Sequence, residues 1–295
     1  MLSDIVDNVI SLKIDEIEEY CFPLDSIFGL EIIENEIKYD FIINFSKNSD
    51  KLICFGSGAW PRNSKTSNGD LIKPPFLDRW SWYGYFDESC IAYADPSFFQ
   101  DDKIRLGWYV GGKDWYLRII SNIIKKLCHN QKISHDNIIF FGSSGGGFSS
   151  IGLATLINGS KAIVNNSSFS IKDISEGHYN DLLDFLKKEF DNRDINNILS
   201  EISHRTSLIS LFNKMEYVPE ITYFVNSNSE RDMYERCIPF VNELIKLPFF
   251  QNELVIHYYS DDNDFWGGHG PIDTNTIVNF IRLYSKLHLG EKKVI

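Results

Sequence analysis

The sequence predicts an α/β fold: a mostly parallel sheet with helices on both faces, antiparallel strands at the N-terminal edge and a helical insertion. Three observations carry this. From residue 51 onward, short apolar runs end in glycine, proline or polar turns, as strands buried on both faces do. Stretches with apolar residues at helical spacing alternate with those runs, the pattern of parallel strands joined by crossover helices. No Pro/Gly-rich linker divides the 295 residues. The chain therefore reads as one domain, 1–295, with the insertion at about 172–216.

Taken in order, LEIIE and IKYDFIINF between Leu30 and Phe45 read as an antiparallel pair at one sheet edge. KLICF (51–55) is a buried strand closed by Gly-Ser-Gly, and residues 60–86 are a loop rich in proline and aromatics. CIAYA (90–94) is the next strand. Residues 114–128 have helical spacing, with Asp114 placed to cap them. NIIFF (137–141) is a strand running into GSSGGGF, and residues 146–157 suit a helix. KAIV (161–164), ITYFV (221–225) and LVIHYY (254–259) are strands; helices are expected over 232–246 and from about Asp273 to His288.

Hydrophobic residues make up 43% of the chain, enough for a sizeable core. The formal net charge is -12 and the pI is near 5.0, which argues against nucleic acid as the main partner. The N-terminal stretch lacks a basic segment followed by an apolar one, so no secretion signal is expected. No apolar run is long enough to span a membrane. The five cysteines (Cys21, Cys54, Cys90, Cys128 and Cys237) show neither CxxC pairing nor zinc spacing, and so fit a reducing, cytoplasmic setting. No metal site is expected.

Gly142-Ser143-Ser144-Gly145-Gly146 matches G-x-S-x-G in one register, with Ser144 at its centre. A strand precedes it and a helix follows, as this nucleophile turn requires. The alternative is a phosphate-holding glycine turn, but a P-loop would need Gly-Lys-Ser/Thr, and no lysine is present. His269 in FWGGHGP lies after the last strand and before the last helix. That is the base's place when the order is Ser, acid, His. His129, His135, His178, His204, His257 and His288 are less well placed. The acid belongs in NSNSERDMYE, where Asp232 is preferred and Glu230 is the alternative. The usual pattern places the aspartate nearer the strand, where this chain has Asn228 and Ser229. Asp261, Asp262 and Asp264 are a further source of a carboxylate, without metal-ligand spacing.

The amide of Gly145, at a helix N-terminus, is placed to hold an oxyanion. The second donor is expected from Gly58 or Ala59 in GSGAW, where a small residue lets the backbone approach a carbonyl. Aromatics crowd residues 60–116. Most suit the core, while Trp60, Trp80 and Trp82 beside the oxyanion loop are candidates for stacking on a sugar ring.

GSGAW, NIIFFGSSGGGF, ITYFV with its acidic loop, and GGHGP together resemble the α/β-hydrolase superfamily, over about residues 50–288. FFGSSGGGF and KAIVNNSSF are similar to bacterial proteins of surface-polysaccharide synthesis, which include capsule serine O-acetyltransferases and esterases. The resemblance implies acyl transfer through an acyl-serine on a carbohydrate or small ester, with acetyl-CoA as a candidate donor and no bound cofactor. Two alternatives stay open: a non-catalytic glycan-binding or assembly protein, and a peptidase or lipase of the same fold.

Overall fold

In a computed structural model, which describes residues 1–61, 69, 73–173, 176–262 and 267–289, nine strands pair into one sheet. They are β1 (Val9–Leu12), β2 (Ile27–Glu34), β3 (Ile37–Asn44), β4 (Leu52–Gly56), β5 (Ser89–Tyr93), β6 (Ile138–Ser143), β7 (Lys161–Asn165), β8 (Glu220–Asn226) and β9 (Leu254–Tyr259). The helices are α1 (Ser97–Gln100), α2 (Tyr116–Gln131), α3 (Gly145–Leu156), α4 (Glu176–Glu189), α5 (Ile195–Glu201), α6 (Ser203–Thr206), α7 (Leu208–Met215), α8 (Ile238–Leu244) and α9 (Thr274–His288).

The spatial order is β1-β2-β3-β5-β4-β6-β7-β8-β9. β2 pairs antiparallel with β3 and β3 with β5; every other neighbouring pair is parallel. The expected antiparallel edge is present, but β1 lies outside it. VISL is too short and too weakly patterned to read as a strand; pairing with Gly29 to Ile32 makes it one.

Alternation along the central strands builds two cores. Leu52, Cys54, Ile138 and Phe140 face one side, which α2, α3, α7 and α8 cover. Ile53, Phe55, Ile139 and Phe141 face the other, which α9 covers with Ile277, Val278 and Ile281. Strands apolar on both faces must sit between two layers, because either face left wet would forfeit roughly 25 cal/mol per Å² of apolar surface. Helix α3 is buried at every position. Its glycines permit this: a Cβ on Gly152 would lie 2.6 Å from Leu117 of α2.

The helix at 114–128 forms as α2, but Asp114 does not cap it. Trp115 occupies the cap position without a side-chain bond. The Asp114 carboxylate instead accepts from Asn35 at 3.0 Å, a partner 79 residues away that no local pattern shows. Helices α4 to α7 fill the segment between β7 and β8. No helix among the described residues is long and apolar enough to cross a membrane, and all five cysteines are unbonded thiols.

Chain direction places the site. β4 has β5 on one side and β6 on the other, both parallel to it. Connections leaving the C-terminal ends of β4 and β6 therefore diverge, and a crevice opens between them. The two loops with candidate chemistry, after Gly56 and after Ser143, leave from there, and Gly56 sits in register with Gly142.

Candidate active site

Ser144 joins β6 to α3 with φ 54° and ψ -124°, a conformation L-residues avoid. Hydrogen bonds hold it there. Its amide donates to the Asn165 carbonyl at 3.1 Å, and its own carbonyl accepts from Gly147 at 3.0 Å and Ser168 at 3.1 Å. The flanking glycines answer to sterics. A Cβ on Gly142 would lie 2.2 Å from the Gly146 carbonyl oxygen, and one on Gly146 would lie 2.4 Å from the Gly56 carbonyl oxygen. Both obstacles are backbone and cannot swing away. Gly146→Ala is therefore expected to destabilise the fold by about 3 kcal/mol, the upper range for overpacking. A urea midpoint unchanged from the parent would contradict this.

The hydroxyl of Ser144 lies 3.0 Å from His269 Nε2. His269 Nδ1 lies 2.9 Å from each carboxylate oxygen of Asp232. Gly267 and Gly268, with φ of 65° and 79°, turn the chain back over the sheet edge to bring the imidazole there. Two asparagines hold this loop in place. Asn166 donates to the Gly270 carbonyl at 2.9 Å, and Asn226 donates to the Gly268 carbonyl at 2.9 Å. Sequence reading gave neither residue a role. The available signal was polar residues at the C-terminal ends of β7 and β8, where buried strands meet the crevice.

Asp232 is fully buried. It lies on a π-helical turn, Arg231–Cys237, that precedes α8. Burial pushes its carboxyl up, but the hydrogen bond and charge of His269, the charge of Arg236 and the bond from Ser229 outweigh this and hold it below its ordinary value. Ser229 donates to Asp232 Oδ2 at 2.7 Å, so the serine standing where the usual pattern has an aspartate bonds to Asp232 instead. Asn228 turns away, donating to Asp262 at 2.6 Å. Glu230 is exposed at the start of the turn. Asp261 contributes its backbone carbonyl to Asn226, and Asp264 lies outside the described residues.

The turn expected to supply the second oxyanion donor is held at both ends. The Ser57 amide donates to the Tyr109 hydroxyl at 3.0 Å, and the Trp60 amide donates to the Arg105 carbonyl at 2.7 Å. Between these anchors, the amides of Gly58 and Ala59 have no acceptor among the described residues. A Cβ on Gly58 would lie 3.4 Å from the Ser143 carbonyl, so this turn lies against the end of β6. Gly145, the first residue of α3, has an amide that its own helix cannot satisfy.

Trp60 does not offer its ring to the site. It is 7% exposed and packs against Phe98, 5.7 Å between centroids; its backbone bond to Arg105 turns the side chain into the core. Trp80 and Trp82 are half-buried. They wall a cavity of about 400 Å³ together with Asp78, Arg79, Ser143 and Pro271. Ser143 precedes the Ser144 position and Pro271 follows His269 by two residues, so the cavity adjoins the site without including either side chain. The Arg79 guanidinium donates to Ser143 Oγ at 2.9 Å and lies over the Trp82 ring, 5.3 Å from its centroid.

No protein-family model matches the sequence, and no curated protein matches it. Solved structures do. The capsule O-acetyltransferase of Neisseria meningitidis serogroup A superposes with a TM-score of 0.59 at 15% identity, covering 86% of this chain and 95% of its own. A variant of that enzyme in complex with CoA gives 0.57 at 15% identity, covering 87% and 92%. An esterase/lipase from an uncultured bacterium gives 0.53 at 10% identity, covering 92% and 88%. At these identities the likeness speaks for architecture. The chain has the α/β-hydrolase fold and resembles, among solved structures, the capsule O-acetyltransferase.

Proposed function

We propose that this chain is a serine-dependent acyltransferase or esterase acting on a carbohydrate ester, of the kind found in bacterial surface polysaccharides. The observation that carries the reading is the contact of Ser144 Oγ with His269 Nε2 at 3.0 Å, continued from Nδ1 to Asp232 at 2.9 Å. In this reading Ser144 Oγ bonds to the carbon of an ester or thioester carbonyl as its proton passes to His269 Nε2. The amides of Gly145 and of Gly58 or Ala59 receive the negative charge that develops on the carbonyl oxygen. The tetrahedral species collapses, the bond to the leaving group breaks, and His269 returns the proton to it. A sugar hydroxyl or water repeats the sequence on the acyl-serine and frees Ser144. Asp232 orients the imidazole and stabilises its charged form.

The cavity beside the site supports the carbohydrate part. Indole planes meet the CH face of a sugar ring while Asp78, Arg79 and Ser143 offer polar partners at its rim. The CoA complex of the similar acetyltransferase variant supports acetyl-CoA as the candidate donor, and a reaction drawing on it belongs in the cytoplasm. Helices α4 to α7 are the candidate lid that keeps water from the acyl-enzyme.

An acyl-transfer assay tests the reading, with acetyl-CoA and an acetyl ester each offered with and without a sugar acceptor. Faster thiol or alcohol release in the presence of the sugar is expected. No turnover in any arm, together with no labelling by a fluorophosphonate, would mark a non-catalytic protein. Trp80→Ala is expected to raise the acceptor KM about tenfold with kcat within about twofold. An unchanged KM would remove the cavity from the substrate path.

A further inference from the structure

We propose that Arg236 is a positioning residue of this site: its buried guanidinium, shared between Asp232 and the Asp173 carbonyl, selects the tautomer of His269. This rests on the Ser144, His269 and Asp232 reading above. Arg236 is 3% exposed and follows Asp232 by four residues on the π-helical turn. Its Nη1 donates to Asp232 Oδ1 at 2.7 Å and lies 3.2 Å from His269 Nδ1. Its Nη2 donates to the Asp173 carbonyl oxygen, which also accepts from Arg231 at 3.0 Å. Asp173 is anchored in turn, since its carboxylate accepts from the amides of Phe169 at 2.7 Å and Ser170 at 2.8 Å.

Arginine has no acceptor and no accessible neutral form. Its contact with Nδ1 therefore has two readings. Either Nδ1 carries a lone pair and accepts from Arg236, or it carries a hydrogen and the contact is one of charge alone. Both Asp232 oxygens stand 2.9 Å from the same nitrogen, and a carboxylate that close to a bare lone pair is repelled. Nδ1 must carry the hydrogen and donate it to Asp232. Nε2 is then left with the lone pair that the Ser144 hydroxyl needs. By occupying Oδ1, Arg236 aims the carboxylate at the ring and keeps it ionised.

The rate of labelling by a fluorophosphonate, in which Ser144 Oγ bonds to phosphorus and fluoride leaves, tests this without a known substrate. Without the guanidinium the Asp232 carboxylate is free to turn from the ring, so a folded Arg236→Met is expected to label about tenfold more slowly, and its His269 imidazole nitrogen NMR signals to change from those of an Nδ1–H ring to those of a mixture of tautomers. Parental labelling, or slower labelling with the parent's nitrogen signals, would overturn the proposal. If Arg236→Met does not fold, Arg236→Lys decides: an ammonium lacks the planar fork shared between Asp232 and the Asp173 carbonyl, so slower labelling with altered nitrogen signals is expected, and the parent's signals overturn the proposal. Ser144→Ala is run alongside. Labelling that survives it refutes the underlying reading, whereas loss of labelling with unaltered Arg236 variants refutes only this inference.

Discussion

Replacing Ser144 with alanine is expected to reduce turnover by about 10⁵- to 10⁶-fold, the loss seen when a nucleophile acting as one unit with its base is removed. The fold should survive. Ser144 is half-buried, and the bonds that hold its strained backbone come from its own amide and carbonyl, which alanine keeps. Ser143→Ala is the control. Its hydroxyl meets Arg79 at 2.9 Å and, among the described residues, makes no hydrogen bond to His269, so a loss of no more than about tenfold is expected, through the neighbouring cavity. Initial rates and fluorophosphonate labelling, with circular dichroism to confirm folding, distinguish the two. Parental activity in Ser144→Ala would end the acyl-serine reading.

Asp232→Asn is expected to lower turnover by about 10³- to 10⁴-fold. Asparagine presents an amide N–H as well as a carbonyl. Arg236 has donors only, so it claims the amide oxygen, and the NH₂ group turns to His269 Nδ1. The imidazole then carries its hydrogen on Nε2 and can no longer take one from Ser144. The depressed carboxyl of Asp232 shows how firmly the site holds the ionised form: burial works against it, and His269 and Arg236 together prevail. Glu230→Gln, on an exposed side chain, is expected to stay within about twofold of the parent. A larger loss in Glu230→Gln than in Asp232→Asn would reverse the assignment of the acid.

Much of this architecture could be read from local pattern. An apolar run such as NIIFF, followed by glycines, has few options: it is a buried strand ending in a turn too tight for side chains. The same holds for KLICF, KAIV and ITYFV, and their alternation with helices implies parallel pairing. The placement of Ser144 between strand and helix, and of His269 in a glycine loop ahead of the last helix, follows from chain order alone. Periodicity and turn chemistry are properties of neighbours in sequence, so one sequence suffices to see them.

Tertiary structure decided what depends on partners far along the chain. Asp232 and Glu230 are two residues apart and chemically alike, yet a π-helical turn buries one against His269 and leaves the other in water. Asp114 suits a helix cap but bonds to Asn35. Trp60 suits a binding loop but packs on Phe98, while Trp80 and Trp82 keep a face on the adjoining cavity. Asn166, Asn226 and Arg236 look ordinary in sequence and acquire their roles only when the fold brings them to the His269 loop across sequence separations of 33 to 104. Burial and long-range hydrogen bonding are set by the packing of whole elements. A side chain's own neighbours in sequence carry almost no information about which element will close over it.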